Sequence, residues 1–205
     1  MNLAVALTAF LLVIPVELPD KTFIATLVLA TKYRPLPTWV GVGLAFAVQS
    51  LVAVTLGGLI AQLPHRPVTA VAGLLFAVGM VVLWRGAGGA DAEEPATERQ
   101  FAGKLRAGVA GWHAVGASFV VLFVAEWGDL SQLLTAGLVV RYRDPVSVFV
   151  GSWAALLLVS AVAAVVGRWL LRRMRLATVR RVGGGVCGVL SAVTLLHAAG
   201  VATPF

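Results

Sequence analysis

An all-α integral membrane protein, with six transmembrane helices arranged as two inverted three-helix repeats, is the fold class that three observations on this sequence predict. Of 205 residues, 60% are hydrophobic and only 12% charged, about half the charge of an ordinary soluble domain. The apolar residues gather in six stretches, near 3–30, 38–61, 68–84, 113–140, 146–167 and 182–200, each close to the roughly 20 residues that a bilayer-spanning helix needs. Acidic residues inside the first and fourth stretches recur at one fixed offset.

The first stretch starts with Met1-Asn2-Leu3, without the basic start or clear cleavage site of a signal peptide, and is expected to be the first span. Between the third and fourth stretches lies the one break in hydrophobicity, with Gly86, Gly88, Gly89, Asp91, Glu93, Glu94, Pro95 and Glu98. It reads as a flexible linker, and divides the chain into a first repeat (1–85), a linker (86–111) expected in the cytoplasm, and a second repeat (112–205).

A net charge of +7 would suggest nucleic acid in a soluble protein, but here the basic residues sit in short connections between apolar stretches, and no nucleic-acid partner is expected. Connections after the first, third and fifth spans hold Lys32, Arg34, Arg85, Arg99, Lys104, Arg106, Arg168, Arg172, Arg173, Arg175, Arg180 and Arg181; the opposite side holds Arg66, Arg141 and Arg143. Cytoplasmic loops are enriched in Lys and Arg. Both termini are therefore expected outside the cytoplasm, in a multi-pass protein of the inner membrane. Cys187 is the single cysteine, which excludes an intramolecular disulfide and reads as a core thiol.

A shift of 109 positions places Glu17 on Glu126, Asp20 on Asp129, Thr22 on Ser131 and Thr26 on Thr135, and Lys32-Tyr33-Arg34 on Arg141-Tyr142-Arg143. A duplicated unit with three spans must cross the membrane in opposite senses, which makes an inverted repeat. Secondary transporters often use this architecture, with the binding site at the midplane on interrupted helices. Pro15 and Pro19 are expected to break the first span, and Gly128 to loosen the fourth.

Glu17-Leu18-Pro19-Asp20-Lys21-Thr22 and Glu126-Trp127-Gly128-Asp129-Leu130-Ser131-Gln132 place an acidic pair near the middle of each apolar run. A charge at that depth costs roughly 2.5 to 3.5 kcal/mol on insertion scales, so it persists where it faces a cavity or an ion. Residues three apart share a helix face, and the pseudo-symmetry lets Glu17, Asp20, Glu126 and Asp129 surround one centre. Hard divalent cations prefer oxygen ligands; Thr22, Ser131 and Gln132 offer more of them. Carboxylates crowded away from water bind protons more readily. A site where protons and a divalent cation compete, and hence an antiporter, is the expected chemistry. Lys21 adds either a tethered cation for that site or a plain ion pair with Asp20 or Glu17.

These residues resemble the family of manganese and calcium exporters that includes the bacterial MneA-type exporters and the Golgi cation/proton exchangers, whose signature is Glu-x-Gly-Asp-Lys/Arg-Thr/Ser in two copies. The resemblance covers nearly the whole chain. It implies export of Mn²⁺, or alternatively Ca²⁺, against inward protons, with Glu17, Asp20, Glu126 and Asp129 as ion ligands and Thr22 and Ser131 in support. Two positions depart from the signature: Pro19 stands for its first glycine and Leu130 for its second basic residue.

No cofactor is expected, the metal ion being the transported substrate, and the bilayer, the cation and the proton are the expected partners. An organic-cation or amino-acid exporter is the alternative within transport. An integral-membrane hydrolase ranks below it, because no nucleophile with a base partner is found. Gln49 and Ser50, in the second span, are expected to bond neighbouring helices more than to line an ion path. A reporter fused after Phe205 tests the topology: activity only of a form that works outside the cytoplasm is expected, and activity of a cytoplasmic form alone contradicts it.

Overall fold

The computed structural model describes residues 1–18, 21–104, 110–173 and 176–199. Every regular element among them is a helix: α1 (Leu3–Glu17), α2 (Lys21–Tyr33), α3 (Pro35–Ile60), α4 (His65–Ala87), α5 (Ala90–Lys104), α6 (Trp112–Ala125), α7 (Leu130–Tyr142), α8 (Pro145–Arg173) and α9 (Leu176–Ala198). Four of them are long and apolar enough to cross a bilayer alone, and the count reaches six when the bent pairs α1–α2 and α6–α7 are each taken as one span. Those bends are 78° and 73°.

The order of elements repeats as the sequence does. A bent pair is followed by two long helices, twice, with α5 between, and α2 and α7 begin and end 109 positions apart. Arg34 and Arg143, matched by that offset, are the two non-glycine residues with positive φ among the described residues, at 86° and 52°. L-residues pay steric energy for positive φ; Arg34, with ψ 145°, leads directly into α3, whereas Arg143, with ψ 27°, is left-handed and closes α7. One residue, Asp144, is added after Arg143. It caps α8, accepting from the Ser147 amide at 3.1 Å and the Ser147 hydroxyl at 2.5 Å, the usual service of an aspartate before a first-turn proline. Those two bonds, the hydroxyl's first, hold its carboxyl below the usual carboxylate range.

Because of the added residue, α3 and α8 correspond at an offset of 110: Pro35 to Pro145, Gly41 to Gly151, Ser50 to Ser160. The helices cross between repeats, α1 packing on α8 and α3 on α6. At both crossings a glycine lets the backbones touch. A Cβ on Gly41 would strike the Val115 carbonyl and lie 2.9 Å from the Ser118 Cβ; one on Gly151 would strike the Ala6 carbonyl and lie 3.0 Å from the Ala9 Cβ. The two contacts are images of each other, since Ala6 and Ala9 correspond to Val115 and Ser118. Small residues at crossings are how membrane helices gain packing contact without a hydrophobic drive. Two indoles tie α3 to α8, Trp39 donating to the Leu157 carbonyl at 2.9 Å and Trp153 to the Gly43 carbonyl at 3.0 Å.

α4 lies along α9, where Ser191 donates to the Gly73 carbonyl at 2.8 Å and Gly183 and Gly184 sit against Pro15 and Trp84. Outward faces stay apolar: Leu3, Leu7 and Leu11 on α1, and Leu44, Val48 and Leu51 on α3, are all exposed. Such stripes suit lipid.

Contacts also sort the chain ends. Lys32 Nζ meets the Ala102 carbonyl at 3.4 Å, Arg180 Nη1 the Gly86 carbonyl at 2.8 Å and Trp84 Nε1 the Arg181 carbonyl at 3.1 Å. Asn2, before α1, donates its amide to Asp144 Oδ2 at 3.2 Å and to Ser147 Oγ at 2.7 Å. Arg141 Nη1 donates to Thr194 Oγ1, near the end of α9, at 3.1 Å.

Three expectations change. Pro15 lies inside α1, which continues to Glu17; a missing amide costs one hydrogen bond, and the helix absorbs it. Pro19 lies outside the described residues. The linker contains α5, rich in good helix formers, with Phe101 buried against the rest of the fold. Finally, α8 and α9 extend past the apolar stretches that announced them, because helix geometry continues where the chain leaves the apolar run.

Replacing Gly151 with leucine is expected to lower the stability of the detergent-solubilised protein by about 1–3 kcal/mol, the usual cost of overpacking. Gly116 has open space around it, and Gly116→Ala should melt within a degree or so of wild type. Equal melting of the Gly151 variant and wild type would remove the glycine crossing from the account.

Candidate functional site

Each bend sets its motif at the junction of two helices. Glu17 is the last residue of α1, and Lys21 and Thr22 are the first of α2. In the second repeat Glu126 caps the C-terminus of α6, Gly128 turns with φ 78°, and Asp129 precedes α7 in extended conformation. Glycine adopts that positive φ without the Cβ penalty, which fits the turn.

Both glutamates are withdrawn from the surface: Glu17 is 1% and Glu126 2% exposed. Around them the matched hydroxyl residues Thr22, Thr26, Ser131 and Thr135 are buried as well. The hydroxyl oxygens of Thr22 and Thr26 and Oδ2 of Asp129 have no hydrogen-bond partner within the protein. A buried oxygen left so costs about 1–3 kcal/mol, and oxygens of this kind suit a hard cation.

The two repeats meet through charge. Lys21 Nζ lies 3.5 Å from Asp129 Oδ1, so the ammonium of the first repeat reaches the carboxylate of the second. Lys21 was expected either as a tethered cation for the acidic site or in a plain ion pair with Asp20 or Glu17; this contact adds a partner in the second motif. The signal was Leu130: the second motif lacks a basic residue of its own, and Asp129 is served from across the interface instead.

Gln132, expected to lend its amide to an ion, bonds the broken backbone here. Its Nε2 donates to the Glu126 carbonyl at 2.7 Å, and its Oε1 accepts from the Gly128 amide at 3.4 Å. From α3, Gln49 Nε2 donates to the Phe123 carbonyl at 3.0 Å, an interhelical bond of the kind expected for it. Gln49, Ser50, Ser131, Gln132 and Thr135, with Phe46 and Leu156, enclose a cavity of about 10 Å³ between α3 and α7. Trp127 is 60% exposed and stacks at a tilt on Phe123, 4.9 Å between centroids, so it packs outward.

Of the site residues read from sequence, the described structure thus brings Lys21 to Asp129 and places Glu17, Thr22, Glu126, Ser131 and Gln132 at the two breaks. Asp20 lies outside the described residues. Among the described residues no three His, Cys, Asp or Glu side chains gather as a metal-binding group.

The family model of the divalent cation/proton antiporter GDT1 matches residues 5–90 and 114–202. The chain belongs to this family. The two GDT1 matches start 109 positions apart, the offset of the sequence repeat, and each contains one bent pair and two long helices. A GDT1-like protein of Synechocystis sp. is 31% identical over 87% of this chain and 91% of its own length. A Vibrio cholerae protein provisionally named a manganese exporter is 27% identical, covering 94% of this chain and 89% of its own. A chloroplastic GDT1-like protein of rice is 29% identical over 93% of this chain and 61% of its own length. No solved structure matches the chain. The GDT1 family is one of transporters and not of enzymes, which removes the hydrolase.

Proposed function

We propose that this protein exports divalent cations, Mn²⁺ first and Ca²⁺ as the nearest alternative, in exchange for protons, through one site to which both repeats contribute. Glu17 and Asp20 from the first break, and Glu126 and Asp129 from the second, are the carboxylates that bind cation or proton in turn. Thr22 and Ser131 supply further oxygens. The observation that carries this reading is the burial of Glu17 and Glu126 at matched positions of two broken spans. It is supported by the Lys21–Asp129 contact between the breaks and by the provisional name of the Vibrio relative.

The exchange follows from charge. Ionised, the carboxylates hold a divalent cation; protonated, they lose both charge and ligand oxygens and release it. Lys21 acts as a resident cation on Asp129 when no metal is bound. The cavity of about 10 Å³ beside the second break has room for about one water.

We infer that the repeats are inverted. The start of α1 touches Asp144, just beyond the end of α7, and the end of α2 touches α5, just before α6, as two spans of opposite sense would. With the positive-inside rule, the end bearing Lys32, Gly86 and Arg180 faces the cytoplasm and both termini lie outside the inner membrane.

Proteoliposomes under an imposed pH gradient test the reading. Gradient-driven uptake of Mn²⁺ or Ca²⁺ is expected, with Glu17→Gln and Glu126→Gln each losing about a hundredfold or more in rate. Lys21→Gln should lower the KM for the cation, its competitor for Asp129 being gone. Full transport by both glutamine variants would sink the carboxylate site; an unchanged or raised KM in Lys21→Gln would sink the resident cation.

A further inference from the structure

The second break is held by side-chain hydrogen bonds to its backbone. At the second break, α6 ends before its last carbonyls find partners within the helix, as every helix end must. Two glutamines bond two of the carbonyls there, one of which, that of Glu126, also accepts from the Asp129 amide at 3.2 Å. Gln49, from α3, takes the Phe123 carbonyl at 3.0 Å, and Gln132, one turn into α7, takes the Glu126 carbonyl at 2.7 Å while accepting from Gly128 at 3.4 Å. The carbonyl of one ligand residue and the amide beside the other are thus both fixed by one side chain.

The matched positions of the first repeat carry other side chains. At the offset of 109, Gln132 corresponds to Phe23; at the offset of 110 that relates α3 to α8, Gln49 corresponds to Val159. Phe23 and Val159 are 1% and 4% exposed and pack together with Ala163, Ile14, Leu18 and Val162 in an apolar cluster. Ser131 and Thr135, which line the cavity with the two glutamines, correspond to Thr22 and Thr26, whose hydroxyls have no partner within the protein. The two glutamines of the second repeat thus stand where the first repeat carries packed apolar side chains.

We propose that Gln49 and Gln132 are positioning residues for the Glu126/Asp129 half of the site: their amides fix the backbone on which both carboxylates stand, and they do not themselves hold the ion. At the matched positions of the first repeat Phe23 and Val159 pack in an apolar cluster and offer no such amides. This rests on the carboxylate site proposed above for its transport readout, and on the hydrogen bonds alone for its structural one.

The test exchanges the second break's residues for those of the first. Gln49→Val with Gln132→Phe imports side chains that the fold already accommodates at the matched positions, and Gln49→Met is a single, near-isosteric variant on α3 away from the carboxylates. Hydrogen exchange of the Trp127–Asp129 backbone in the purified protein should quicken about tenfold in the double variant, with α4 and α9 unchanged. In proteoliposomes the KM for Mn²⁺ should rise about tenfold or more in the double variant and severalfold in Gln49→Met, with Vmax kept within about twofold. Unchanged exchange and unchanged KM overturn the proposal. So does a raised KM with unchanged exchange, since that is the mark of a direct ligand. If the wild type moves no divalent cation, the proposed function falls while the exchange rates still decide the positioning role.

Discussion

A carboxylate at membrane depth has no water to lean on, and the rest of this structure can be read as an answer to that constraint. An unbroken apolar helix would leave Glu17 or Glu126 facing lipid, at a cost of several kcal/mol on most scales. Both residues instead stand where a span breaks and bends by more than 70°, and both are buried within protein. The break turns the carboxylate away from lipid and opens backbone groups at the same depth. Irregular backbone is tolerated at that depth only where protein or a cavity lines it, so each break must be enclosed by neighbouring helices.

Enclosure explains the crossed architecture. Each repeat's first helix packs on the long helix of the other, and the approach is close because Gly41 and Gly151 bring backbone against backbone. The same interlocking carries Lys21 of one repeat to Asp129 of the other. A repeat on its own would have a charged break and nothing to close it. Where the second motif has Leu130 in place of a basic residue, Lys21 of the first lies beside Asp129.

Much of this was legible in the sequence, for definite reasons. Six apolar stretches, the offset of 109 and the paired motifs are one-dimensional signals, and the broken pairs, the positive φ at Arg34 and Arg143 and the family all agree with them. What escaped depends on three-dimensional choice. The sequence places Lys21 beside Glu17 and Asp20, and only packing adds the contact with Asp129. Gln132 looked like one more oxygen, because nothing in a list of residues says that its amide will be spent on the Glu126 carbonyl. Pro15 looked like a breaker, yet α1 runs through it to Glu17, since a single missing donor is a small loss beside the packing of a whole helix face. The helix α5 was hidden by the glycines at the start of the linker and by Pro95 within the helix itself.

The central claim is that the glutamates of both repeats serve a single site. The most direct measurement is the number of Mn²⁺ ions bound per chain by the purified protein, counted from the free-ion paramagnetic resonance signal during titration, for wild type, Glu17→Gln and Glu126→Gln. The account predicts one ion per chain and loss of that ion in either variant. Two ions per chain, or binding that survives one of the two substitutions unchanged, would contradict it.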